Sequence, residues 1–282
     1  MNSAWKSLFK IIVSLFALVG VVFTAVYFGM QLGVFNVKGS ISSRNSFFQK
    51  PAKNTATIAT PPCTDNEKIC EWNRTLEWQV VKGGLEKDIA IIQRVSTETG
   101  VSARMIASVV VPEQIRFFTA NREVFKRYFE PLKILGSLSQ FSLGVSGIKQ
   151  ETAEKIEKYA SDPTSPFYPG DGMNTLIIYA PGVNHSTELY NRLTDDKNHY
   201  YQYLYTALYI KEIETQWANT GFDISTNPGV IVTLFNLGFQ SSKPKANPLV
   251  GGSLITTGGQ NITYGELGAK FYESDELRVF FP

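Results

Sequence analysis

Between Lys10 and Lys38 the chain carries no charged residue, and residues 11–35 are apolar enough to cross a membrane. A hydrocarbon core of ~30 Å needs ~20 helical residues to cross it, so this run is read as a transmembrane helix. A cleaved leader is the alternative, but leaders have apolar regions of only ~7–15 residues before a small-x-small site, and nothing of that kind comes after Tyr27. The chain then divides into a short tail at 1–10, the helix at 11–35, a tether at 36–62 and a folded domain at 63–282. Lys6 and Lys10 on one side face Lys38 and Arg44 on the other, so flanking charge leaves orientation open. An exported domain requires the amino terminus to be cytoplasmic.

The tether is rich in Ser, Lys, Asn and Thr and closes on Pro61-Pro62, a composition too polar to build a core. The stretch from Cys63 onward is long enough for one main core of about 200 residues. With 27 Lys+Arg against 25 Asp+Glu, the formal charge of +2 gives no case for a nucleic-acid partner. Cys63 and Cys70 are the only cysteines. A disulfide between them fits an oxidising compartment, and two unrelated thiols are the alternative. With only His185 and His199 to complete a ligand set, no metal is expected. No cofactor is called for either.

Leu85, Ile89, Ile92 and Val95 recur at helical spacing and Gly100 closes the run. Ser102 reads as the N-cap of the next helix, an apolar run ending in Pro112-Glu113. Proline removes a hydrogen bond and clashes with the carbonyl of Ser108, which predicts a kink or an end near Glu113. A carboxyl group at such an apolar edge loses hydration and can hold a proton near neutral pH, as a general acid must. Val109, Val110 and Phe117 would desolvate it, while Arg116 would oppose this unless Pro112 turns it away. Alone, such a glutamate is more often a helix-edge carboxylate with a partner.

Further helices are expected at 122–128, 152–159, 198–217 and 229–238, with a turn at Glu130-Pro131 and a proline-rich insertion at 161–172. Tyr201, Tyr205, Leu208 and Glu212 share one face of the longest of these. Tyr201, Tyr205 and Tyr209 read as core residues before they read as a sugar platform. Trp72, Leu76 and Trp78 supply the first apolar anchors, and a last amphipathic piece falls at 267–272. Strand signals are confined to 253–257 and 175–179. The sequons at Asn73, Asn184 and Asn261 read as chance matches.

Three blocks in order resemble the lytic transglycosylases of the lysozyme-like superfamily. Residues 97–113 are similar to the helix-turn-helix that ends in that family's catalytic glutamate. Ser142-Leu143-Gly144, followed by Ile148 and Thr152-Ala153, is similar to its Ser-x-Gly turn and helix start. Leu234-Phe235-Asn236-Leu237-Gly238 is similar to its Tyr-Asn-x-Gly block. The resemblance spans roughly residues 85–240. It departs at Gln114 where Ser is usual, at Gly147 where Gln is usual, and at Phe235 in place of Tyr.

The resemblance implies a mainly α, lysozyme-like (α+β) domain with few short strands behind a transmembrane helix, on the outer side of a bacterial cytoplasmic membrane. It implies peptidoglycan glycan strands as substrate, Glu113 as the acid and base, and Ser142, Gly144 and Asn236 as glycan contacts. A tight turn is the plainer reading of Ser142 and Gly144. Two rivals stand beside it. One is a hydrolytic lysozyme using Glu130, Glu151 or Glu266 as second carboxylate; the other is a protein that binds peptidoglycan without cutting it.

Overall fold

The computed structural model describes residues 3–31, 63, 67–119, 142–195 and 197–282. Expectations at 122–128, at Glu130-Pro131 and along the tether lie outside them. The chain separates into two compact units, Met1–Val37 and Lys38–Pro282. The first holds helix α1, Ser3–Gln31, with Phe16, Leu18 and Val21 among its exposed apolar side chains. Among the described residues no helix is long and apolar enough to cross a membrane.

The second unit is mainly helical with few strands. Its helices are α2 (Leu76–Lys87), α3 (Ile89–Thr99), α4 (Ala103–Thr119), α5 (Gln150–Ala160), α6 (His185–Thr194), α7 (Tyr200–Asn219), α8 (Pro228–Leu237) and α9 (Tyr264–Glu273). Two antiparallel hairpins accompany them. Strand β1 (Ser142–Leu143) pairs with β2 (Ile148–Lys149), and β3 (Leu254–Thr257) pairs with β4 (Gln260–Thr263).

Local chemistry sets the boundaries. Gly100 ends α3 in the left-handed region at φ 76, and the Ser102 hydroxyl accepts from Met105 N at 3.1 Å at the start of α4. The first helical run breaks at Asp88, which closes α2 and opens α3. Asn227 caps α8 with proline behind it, and Thr263 with Glu266 forms a capping box on α9.

Three expectations need correction. Residues 175–179 form no strand; a 3-10 helix covers Met173–Ile177, because Gly172 turns left-handed at φ 83 and its carbonyl takes Thr175 N at 3.0 Å. Leu76 is no anchor, being 69% exposed at the first position of α2; Trp72 and Trp78 pack edge to face at 5.0 Å instead. Pro112 does not end its helix, for α4 runs on to Thr119. The carbonyl of Ser108, which Pro112 cannot serve, lies under α9, where a Cβ on Gly268 would come within 2.8 Å of it.

Helix α7 is central. Tyr203, Leu204, Tyr205, Ala207, Leu208 and Ile210 are buried on several sides of it, and α3, α5, α6 and α8 pack around it. Cys63 and Cys70 are joined by a disulfide, with Cα atoms 6.1 Å apart. Among the described residues the one group of three potential metal ligands is Cys63, Glu67 and Cys70, and both of its thiols are spent in that bond.

Two carboxyl groups on α7 tie stability to pH. Glu212 is fully buried, and neither of its oxygens has a hydrogen-bond partner; burial holds it well above the usual carboxylate range. Burial also raises Glu214 from 4.5 to about 7, against the opposing charge of Lys211 and with that of Asp223. Each binds a proton more tightly folded than unfolded, so stability falls as pH rises from 4.5 towards about 7. Glu214→Gln is expected to remove roughly 2–3 kcal/mol of that decline. Urea titrations across this range check it, and parallel slopes for parent and variant would reject it.

Candidate functional site

Glu113 sits inside α4, not at its end, and is 2% exposed. One turn on, Arg116 reaches back and places Nη2 2.7 Å from Glu113 Oε2. Of the two orientations open to Arg116, the inward one is found: because the helix continues, positions three apart stay on one face. The guanidinium carbon of Arg116 lies 5.6 Å from the ring centre of Tyr264. That ring is fixed by its own hydroxyl, which donates to the Val109 carbonyl at 3.0 Å. Burial lowers the pKa of Arg116, with the Tyr264 phenol opposing. A guanidinium this near stabilises the carboxylate anion, so Glu113 is held as half of a buried ion pair.

The other carboxylate oxygen faces the β1-β2 turn. A Cβ added at Gly147 would overlap Glu113 Oε1, and the residue sits in the left-handed region at φ 67. Both facts require glycine. Glycine at 147 is thus what lets the turn close onto the carboxylate. Gly144, at φ 66, packs equally close to the Gln202 side chain and the Leu193 carbonyl.

Two glutamines clamp this turn. Gln114, 1% exposed, donates through Nε2 to the Val145 carbonyl. From the opposite side Gln202 Oε1 accepts from Val145 N at 2.7 Å, and the Gln202 carbonyl takes the Ser146 hydroxyl at 3.2 Å. Sequence reasoning does not single out Gln202. An amide within an apolar helix must find a partner, and the signal that marks Asn236 is equally present there.

Of the expected glycan contacts, Gly144 lies in the turn and Ser142 in β1 opposite Lys149. Asn236 is placed differently. Its carbonyl oxygen accepts from Ser253 N at 2.9 Å and Ser253 Oγ at 3.0 Å, tying α8 to the approach to β3. Phe235 packs on Tyr209 with ring centres 4.8 Å apart. Among the rival carboxylates, Glu151 pairs with Lys155 at 2.6 Å and Glu266 accepts from Thr263 N at 2.8 Å in its cap. Glu130 lies outside the described residues.

Gly147→Ala is expected to cost about 2–4 kcal/mol, from left-handed strain plus overlap with a buried charge. Chemical denaturation measures it. A loss below about 1 kcal/mol would mean that the turn does not press on Glu113. Compared with known proteins, the chain matches no family model, no curated protein and no solved structure.

Proposed function

We propose that this chain is a membrane-anchored lytic transglycosylase of peptidoglycan, with Glu113 as its acid and base. The observation that carries the reading is the meeting of two distant motifs. The carboxylate at 113 and the glycine turn at 144–147 are separated in sequence, yet Gly147 lies directly against Glu113 Oε1. A turn of this kind can bring a sugar to a carboxylate.

In the reaction Glu113 gives a proton to the oxygen between N-acetylmuramic acid and N-acetylglucosamine. It then takes the proton of the muramyl 6-hydroxyl as that oxygen closes on its own anomeric carbon. The product is a 1,6-anhydro sugar and no water is consumed, so one carboxyl group suffices. Arg116 suits the second half, in which an anion must accept a proton. The first half requires Glu113 to be protonated as the glycan docks and the ion pair opens. The local roles of Glu151 and Glu266 count against two of the three second carboxylates open to the hydrolytic reading.

The buried pair also favours a second reading, a domain that holds peptidoglycan without cutting it, because a resting carboxylate anion at 2% exposure is poorly placed to donate. Purified sacculi incubated with the full chain separate the readings by mass spectrometry. Anhydro-muramyl ends support the transglycosylase and reducing ends the lysozyme; binding without release supports the non-cutting protein. Anchoring rests on the charge-free sequence after Lys10. A carboxy-terminal reporter active only in the cytoplasm would overturn export of the domain.

A further inference from the structure

The charged pair of Glu113 and Arg116 is unevenly buried. Its glutamate side chain is 3% exposed and its arginine side chain 12%, so the arginine is the half more open to solvent. Arg116 Nη2 reaches Glu113 Oε2 at 2.7 Å, while a Cβ at Gly147 would overlap Oε1. The carboxylate thus has a cation on one oxygen and a close-packed turn on the other.

Arg116 is positioned from behind. The capping box of Thr263 and Glu266 starts α9, which puts Tyr264 at the first position of that helix, with its hydroxyl on the Val109 carbonyl at 3.0 Å. The ring so fixed lies 5.6 Å from the guanidinium carbon, within reach of a cation-π contact. A pair taken out of water adds little net stability over apolar side chains of the same shape, since both ions lose hydration. Stability therefore does not account for an arginine at this position.

Other charges on the elements packed against α4 are engaged elsewhere, among the described residues. The turn at 144–147, strand β3 and helix α8 carry no titratable side chain. On α9, Glu266 is turned into its cap and Lys270 is exposed. On α7, Glu212 is shifted by burial alone and Lys211 donates to the Thr99 carbonyl at 3.0 Å. On α2 and α3, Lys82 pairs with Glu276 at 2.8 Å and Arg94 with Glu98 at 2.9 Å.

We propose that Arg116 is a positioning residue that holds Glu113 ionised at rest and is drawn aside by an arriving ligand, so that it sets the highest pH at which Glu113 gives a proton. The inference rests on Glu113 as the acid of the proposed function. A guanidinium keeps its charge wherever a carboxyl group titrates, and an opposite charge this near favours the anion. Donation needs the protonated form, so with Arg116 in place release falls as pH rises past a low limit. Without Arg116, burial acts unopposed by that charge and favours the neutral acid, and the limit moves up.

The test is a carbon-13 NMR titration of the side-chain carboxyl groups in the full chain, run beside sacculus digestion at the same pH values. The Glu113 signal is the one missing from Glu113→Gln. Arg116→Met is expected to raise its midpoint by about one to three pH units and to carry the falling limb of muropeptide release upward with it. Arg116→Lys keeps the charge and is expected to stay near the parent in both. Arg116→Gln keeps hydrogen-bond donors without the charge, and gives the same shift if Arg116→Met does not fold. An unmoved midpoint in the uncharged variants overturns the inference, and so does a midpoint that moves while the release limb stays. A midpoint that moves with no release by parent or variants at any pH leaves the hold of Arg116 on Glu113 standing and removes the transglycosylase reading.

Discussion

Glu113→Gln is expected to lower release of anhydro-muropeptides from sacculi by roughly 10²- to 10⁴-fold, the usual contribution of a positioned acid or base. The amide keeps the length and the acceptor oxygen of the glutamate, so Arg116 Nη2, 2.7 Å from the carboxylate in the parent, still has a hydrogen-bond partner. What it loses is a proton to give and a charge to offset the guanidinium. A modest fall in stability should accompany the loss of activity, since a buried cation is then left without its counter-charge. A melting curve run beside the sacculus assay tells the two effects apart. A folded variant that releases product at the parental rate ends the catalytic assignment, and one that still binds sacculi when the parent releases nothing points to the non-cutting protein.

The structure explains why some of this is legible in sequence. Gly100, Ser102, Asn227 and Gly238 signal helix ends through chemistry that acts within a few residues, and they fall where α3, α4 and α8 begin or stop. The second hairpin is half visible. Strand β3 reads from its own residues, whereas β4 emerges only once Gly258 and Gly259, both at positive φ, are recognised as the turn. Helix α6 escapes because its ten residues carry few apolar side chains, although Asn184 caps it at Thr187 N.

The site is legible in its parts and not in its assembly. Glu113 and the glycine turn each stand out in the sequence, but the pairing of Glu113 with Arg116 depends on α4 continuing through Pro112, which a local rule forbids and the packing of α9 allows. Gln114 reads in sequence as a departure from a family pattern. Its amide holds the turn at Val145, a contact between residues that no spacing rule connects. Tyr201 shares the helical spacing of Tyr205 and so reads as core, yet it is only half-buried and forms part of a pocket wall. Its environment is set by Arg192 on another helix.

Arg104 shows the same dependence on distant chain, and its replacement is expected to have the largest effect on stability. The residue is 2% exposed. Nε donates to the Tyr272 carbonyl at 2.6 Å; Nη1 donates to those of Glu276 at 3.1 Å and Phe281 at 3.0 Å; Nη2 donates to that of Phe271 at 2.7 Å and also to that of Ser274. Its planar fork therefore gathers the end of α9 and the residues after it, and the guanidinium carbon rests 4.9 Å from the Phe271 ring centre. Burial pushes its pKa down to about 10, still high enough to keep the charge at neutral pH. Arg104→Met preserves much of the side-chain volume and removes every one of these donors; the Phe271, Tyr272 and Ser274 carbonyls keep Ser274 or Arg278 as donors, whereas those of Glu276 and Phe281 lose the guanidinium that serves them. The expected loss is about 3–5 kcal/mol in urea unfolding, with faster amide exchange through residues 271–281. Arg104→Lys should recover only part of it, because an ammonium has three donors and no fork. A loss below about 1 kcal/mol in Arg104→Met would mean that the carbonyls turn to water and that the tail is held by Phe271 and Phe281 instead.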